Sequence, residues 1–371
     1  MSELIPIFIV SMLLALLSEY FTVRNSQNGL VEKEDHLWWL IMAAAMILFV
    51  GLRTRYNDTL TYLGNYRALL SEPTPLSDIS WQLGDNPGYQ LSNNIMAMFG
   101  ISDQTFILIY AVATVGIYVW FIRKYSCNFV FSIFLLFVTG AYTFTLAAIK
   151  QCVAVAFALI ATHYAIKKRW ILFVLWILIA STFHPYALMY GIVPVMMFRP
   201  WTGKTYLSLV AFGCAGFALQ SLMGVIVDVT TMLGEEFDAA SFAGEGVNPF
   251  RLAVCAVPLI LSFITRNVRL DSDSKEIYLM VNLAIINAEI MFVALFGTAN
   301  YFARLANYFI IMQSLSIPWL LKKFEKRSEQ FLTVVAVICY LAYFYYANAI
   351  DQPFDLYYSR ITIFEYLKSL I

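Results

Sequence analysis

The chain has 371 residues, 61% of them hydrophobic and only 13% charged, whereas soluble domains run at about 45–50% apolar and about 25% charged. Lipid can absorb that excess and a soluble core cannot, so composition excludes a string of soluble domains and predicts one transmembrane domain over 1–371. Lys+Arg and Asp+Glu balance at 24 each, and no basic block is long enough to track a nucleic acid.

The first apolar run opens at Leu4 with no basic stretch and no A-x-A-like site before it. It reads as a retained helix and not a removable signal peptide. A helical crossing needs about 20 mostly apolar residues, because its backbone must be satisfied internally. The expected spans are 4–23, 37–52, 104–122, 128–145, 149–166, 170–183, 186–198, 205–227, 250–265, 277–297, 303–321 and 330–349. The pair 170–183 and 186–198 is short and fits either two tilted helices or a re-entrant hairpin. Lys and Arg recur on alternate loops: Arg24 and Lys33; Arg123 and Lys124; Lys167 to Arg169; Arg199 and Lys204; Arg266 to Lys275; Lys322 to Arg327. Those loops are therefore assigned to the cytoplasm, which leaves both termini outside. The expectation is an all-α polytopic bundle of about 12 transmembrane helices.

Two longer segments fall on the outer side, 53–103 and 228–249. The first contains two amphipathic stretches, 58–70 and 87–99, suited to the membrane interface. The second is acidic (Asp228, Glu235, Glu236, Asp238, Glu245) and reads as a flap over an outer cavity. The five cysteines form no C-x-x-C pair and read as small core residues.

Setting the cytoplasmic cations aside leaves Arg53, Arg55, Lys150, Arg251 and Arg304 at outer helix ends, where the positive-inside rule disfavours them. Any one of them reads equally as a side chain snorkelling to headgroups. As a set they point to an outer-leaflet anion site, because a guanidinium fork binds phosphate oxygens bidentately. Asp58 is either the N-cap of the first amphipathic stretch or a general base beside Arg53. His184, between an apolar run and Pro185, is either a satisfied boundary residue or a donor to phosphate. Glu289 lies mid-span, where a carboxylate must be paired or face water. Lys150, Arg304 or an Asn is its expected partner, as an interhelical lock or as a catalytic acid. His163 is given no role, and Glu19 is expected to snorkel. Tyr142, Tyr186, Tyr190, Tyr301 and Tyr308 crowd the outer ends as an interfacial belt, and some offer faces for sugar rings. No nucleotide or hydrolase motif and no metal-ligand spacing is present.

Several of these residues occur in a recognisable order: Gly51-Leu52-Arg53, Asp58-Thr59 and Tyr62; Pro87-Gly88-Tyr89; Lys150-Gln151 with Ala154; Ile179 to His184 with Ala187; and Arg304 with Tyr308. In this order the chain resembles the EpsG family of bacterial membrane proteins, regarded as Wzy-like polysaccharide polymerases. It departs from the family at Lys150, usually Arg; at Asn86, commonly acidic; and at Tyr186, often small and polar. The resemblance implies a GT-C-like helical fold in the bacterial inner membrane with an outward-facing site. It implies polymerisation of undecaprenyl-diphosphate-linked oligosaccharide repeat units into O-antigen, capsule or exopolysaccharide, with undecaprenyl diphosphate as leaving group. No metal or other cofactor is expected; the expected partners are the lipid-linked substrate, membrane lipids and a chain-length regulator protein. Arg53, Arg55, Lys150, Arg251 and Arg304 would hold the diphosphate. Asp58, His184 or Glu289 would act on the acceptor, and Tyr62, Tyr89 and Tyr308 would contact the glycan. An O-antigen ligase would need the same anion clamp. A flippase for lipid-linked sugars would call for an internal repeat, and none is seen. A sugar acyltransferase would lean on a single His such as His184.

Overall fold

The computed structural model describes residues 1–27, 36–232, 247–297 and 299–370. The chain is a helical polytopic membrane protein, and among the described residues the exception is a two-stranded ribbon pairing Arg53–Arg55 with Ser359–Arg360. Among the described residues five helices are long and apolar enough to cross a membrane: Leu4–Thr22, Asp103–Tyr125, Ile149–Ile166, Lys275–Phe296 and Lys326–Asp351. Phe129–Val138 with Ala141–Ala147 makes a sixth if that bent pair is one span.

The remaining expected spans are interrupted or shorter, for reasons visible in the sequence. The 128–145 run bends by 50° at Gly140, whose φ of +84° is left-handed and favours glycine. The 186–198 run forms a 3₁₀ helix, Pro185–Met196. Pro194 inside it lacks the amide that an α-helix would use. The 205–227 run is divided into Gly203–Phe217 and Leu219–Met232, and the 303–321 run into Ala299–Asn307 and Ile311–Leu321. Helix starts follow the sequence more closely. Ser102, Asn128, Asn248 and Ser274 each accept an N–H of the turn that follows.

Charge sorts the bundle into two ends. At one, Lys322 donates to the Cys127 carbonyl (2.9 Å), Arg199 to the Arg266 carbonyl (2.8 Å), and Lys323 pairs with Asp273 (3.4 Å). Four of the expected cytoplasmic loops, at Cys127, Arg199, Arg266 to Asp273 and Lys322 to Lys323, thus share one face. At the other end, the Met1 ammonium bonds Asp355, Arg360 pairs with Glu3 (3.1 Å), and the ribbon brings residues 53–55 alongside. The acidic flap residues Glu235, Glu236, Asp238 and Glu245 lie outside the described residues, as do Lys33 and Thr298. Cys152 and Cys255 are buried as expected, but Cys214 and Cys339 are exposed on helix surfaces. Glu19 does not simply snorkel: its carboxylate accepts the Val130 N–H at 3.4 Å.

Candidate functional site

The site grows from the exposed carbonyls that every helix end leaves behind. At the end of Leu37–Gly51, Tyr142 caps the Met46 carbonyl (2.9 Å), Tyr358 that of Phe49 (2.7 Å), and Gln104 that of Gly51 (2.7 Å). The Ile361 N–H caps that of Leu52 (3.0 Å). Arg53 closes the set. Its Nη1 donates to the Val50 carbonyl at 2.7 Å and its Nε to the Thr59 hydroxyl at 3.0 Å. The residue is 1% exposed, and Nη2 is buried without a hydrogen-bond partner. Burial lowers its pKa to about 10, against the raising effect of Tyr358, so it remains cationic at neutral pH. The expectation of an open phosphate clamp at Arg53 needs correction: the side chain is buried, and two of its three nitrogens bond the fold.

Thr59 opens the helix Thr59–Ser71, and Asp58 occupies its N-cap position without making a side-chain cap bond. Asp58 is thus the N-cap by position but not by hydrogen bond, and its carboxylate is exposed one turn before Tyr62. The second amphipathic stretch is the helix Pro87–Met98. It packs so closely on Trp170–Phe183 that any Cβ at Gly88 would overlap Thr182. This approach sets the Tyr89 ring 6.2 Å from that of Tyr62, edge to face, and 5.7 Å from Nζ of Lys150. Burial pushes Tyr89 up to about 12 and Tyr62 higher, so both stay phenols.

Across from Lys150 stands His184, at the end of Trp170–Phe183 and outside the five long spans. Its Nδ1 is 2.7 Å from the Tyr308 hydroxyl. Burial first, then the charges of Lys150 and Arg304, hold its pKa far below the ordinary imidazole value. A neutral ring accepting from Tyr308 at Nδ1 carries its proton on Nε2 and is a donor there.

Arg304 and Tyr308 reach this point because the chain breaks between Ala299–Asn307 and Ile311–Leu321. Three carbonyls at the break accept from side chains of three other segments. Gln151 donates to Arg304 O (2.5 Å), Asn287 to Ala306 O (2.6 Å), and Tyr190 to Tyr308 O (2.5 Å). Gln313 in turn donates to Asn287 at 2.8 Å. At 100° per residue, the broken helix and its exit turn present three faces. Arg304 and Tyr308 face His184. Phe302, Leu305 and Phe309 line an apolar cavity of about 490 Å³ shared with Met189, Phe212 and Ile290. Ala303 and Asn307 line a polar cavity of about 460 Å³.

The structure thus brings Asp58, Tyr62, Arg53, Tyr89, Lys150, His184, Tyr308 and Arg304 into one continuous region, and leaves three expected members out of it. Arg55 is exposed on the ribbon. Arg251 donates to Asn307 (3.1 Å) in the polar cavity. Glu289, 3% exposed, accepts from Ser208 (2.9 Å) and not from Lys150, Arg304 or an Asn. It lines neither cavity, and its Oε2 has no hydrogen-bond partner. Gln104, which donates to the Gly51 and Arg53 carbonyls, was not foreseen as a member of this region. Amides inside apolar runs, such as Gln104, Gln151 and Gln313, were the available signal, since a buried amide needs partners.

The sequence model described as the EpsG family matches residues 36–366. Neither the curated proteins nor the solved structures contain a match.

Proposed function

The chain belongs to the EpsG family, and from that premise we propose that it polymerises oligosaccharide repeat units carried on undecaprenyl diphosphate into O-antigen, capsule or exopolysaccharide. The work is done on the outer face of the bacterial inner membrane, in a GT-C-like bundle of about 12 crossings. The observation that carries this reading is the pair of faces on Ala299–Asn307 and its exit: Arg304 and Tyr308 beside a neutral imidazole, and Phe302, Leu305 and Phe309 on an apolar cavity. A lipid-linked diphosphate needs that combination, with cations and donors for its head and an apolar groove for its tail.

In the proposed step an acceptor hydroxyl attacks the anomeric carbon of the donor, and the bond from that carbon to the diphosphate oxygen breaks. Undecaprenyl diphosphate leaves with the electron pair. Arg304 and Lys150 stabilise the charge that develops on it, with His184 Nε2–H as a neutral donor; removing one such group typically costs 10²–10³ in rate. The hydroxyl proton passes to the Asp58 carboxylate. Tyr62 and Tyr89 hold the sugar rings between base and clamp. Arg53 acts through its neighbours, fixing Thr59 and hence the position of Asp58.

Cells lacking the protein, complemented with wild type or Arg304→Ala, test this on a gel of surface and lipid-linked glycans. Collapse of the ladder to single repeat units that Arg304→Ala fails to restore supports both activity and clamp. Accumulation of long lipid-linked polymer would make the protein a ligase instead, and an unchanged ladder would overturn the assignment.

A further inference from the structure

The polar cavity is a second site. Its walls come from separate parts of the chain: Tyr56 after the ribbon, Arg251 at the start of Pro249–Ile264, Asn307 at the helix break, and Tyr343, Tyr346 and Asp351 at the end of the last long helix. That helix changes to a π-turn over Tyr346–Asp351. Such turns cluster at functional sites, because the extra residue per turn re-aims side chains. Here the turn is held in place. The Asn348 amide takes the Phe344 carbonyl at 2.9 Å, and Asn248 donates to the Tyr346 hydroxyl at 3.0 Å.

The chemistry of the lining differs from that around His184. The region about His184 collects the cations Lys150 and Arg304, whereas this cavity sets one guanidinium, Arg251, against one carboxylate, Asp351. A balanced pair of charges does not favour a diphosphate. Together with neutral amides and tyrosines it supplies alternating donors and acceptors beside aromatic faces, which is what a polyhydroxylated ring requires. A volume of about 460 Å³ falls within the about 300–1,000 Å³ of small-molecule sites and has room for a short oligosaccharide. Asn307 lies in this cavity, and Arg304, three residues earlier, faces His184.

We propose that the polar cavity between Arg251, Asn307, Tyr346 and Asp351 binds carbohydrate, specifically the sugar portion of an acceptor chain or of the polymer as it grows. The identity of the ligand rests on the polymerase reading above; the presence of a carbohydrate site does not. The purified protein is titrated by saturation-transfer NMR with short, lipid-free and phosphate-free fragments of the host's own surface polysaccharide. Wild type and Arg304→Met are expected to bind alike. Tyr346→Ala and Asp351→Asn should each weaken binding by about tenfold or more, with unchanged melting as the check that they fold. In cells both should shorten the ladder without abolishing it. Absence of fragment binding by wild type, or unchanged affinity in both variants, overturns the site whatever the ladder shows. If fragments bind here and the two variants lose them while deletion of the gene leaves the ladder intact, the carbohydrate site stands and the polymerase reading falls.

Discussion

Replacing Arg53 with Met separates two roles that a cation at a helix end can play. The guanidinium makes two hydrogen bonds, at 2.7 and 3.0 Å, to Val50 O and Thr59 Oγ1, and bonds from a charged donor contribute about 1.5–3 kcal/mol each. Their loss would cost about 3–6 kcal/mol. Part of this is offset, because Met removes a buried cation and an unpaired Nη2 whose burial itself costs about 1–3 kcal/mol. A net destabilisation of about 2–3 kcal/mol is expected. It should be measured as a fall in the thermal midpoint of the detergent-solubilised protein, followed by size-exclusion recovery after heating. Arg304→Met is the internal contrast. Arg304 is exposed and the break is pinned through its carbonyl, so its stability should stay within about 0.5 kcal/mol of wild type while polymer is lost. An Arg53→Met protein that melts like wild type yet makes no polymer would refute the structural role and restore Arg53 to the clamp.

The remaining predictions concern the helix break, the close helix contact and pH. Asn287→Leu leaves the Ala306 carbonyl with the Phe309 N–H alone and Gln313 with only the weak Cys255 sulfur as acceptor; losing the two hydrogen bonds should cost about 1–3 kcal/mol, and a midpoint equal to wild type would mean that the break holds without them. Gly88→Ala forces Pro87–Met98 away from Thr182, at a cost of about 1–3 kcal/mol for overpacking, and should weaken polymerisation by moving Tyr89 off Lys150, read as ladder intensity at equal protein level. His184 has its pKa held far below the ordinary value. Below about pH 6.5 the unfolded chain therefore takes up a proton that the folded one refuses. Stability should fall as pH drops from there, and His184→Gln should flatten that part of the midpoint–pH curve. For the same reason in vitro polymerisation should show no limb of its own near pH 6.5; one that vanished in His184→Gln would contradict a neutral ring.

Membrane residence and the grouping of cationic loops were legible because each is a one-dimensional pattern. Hydrophobic runs and Lys/Arg positions survive without knowledge of packing. The interruptions were less legible. Gly140 and Pro194 announce theirs, but nothing local marks the break after Asn307, whose carbonyls accept from Gln151, Asn287 and Tyr190 of distant segments. Charge at a helix end was read as exposure, and that misled at Arg53, which folds back on its own helix. Arg251 and Glu289 were grouped with the others by residue type. Their separation depends on which helix face turns where, and the drift of 100° per residue amplifies a small error in register.

The ribbon between residues 53–55 and 359–360 has a consequence for biogenesis. The caps on Phe49 and Leu52 come from Tyr358 and Ile361, which leave the ribosome some 300 residues after the helix they complete. Until then the corner that holds Arg53 lacks two of its partners, and a chain stalled or clipped before Phe354 never receives them. Such a chain keeps the membrane helices that precede the cut but not the closed corner beside Thr59 and Asp58. Closure of that corner is thereby tied to synthesis of residues more than 300 positions further along the chain.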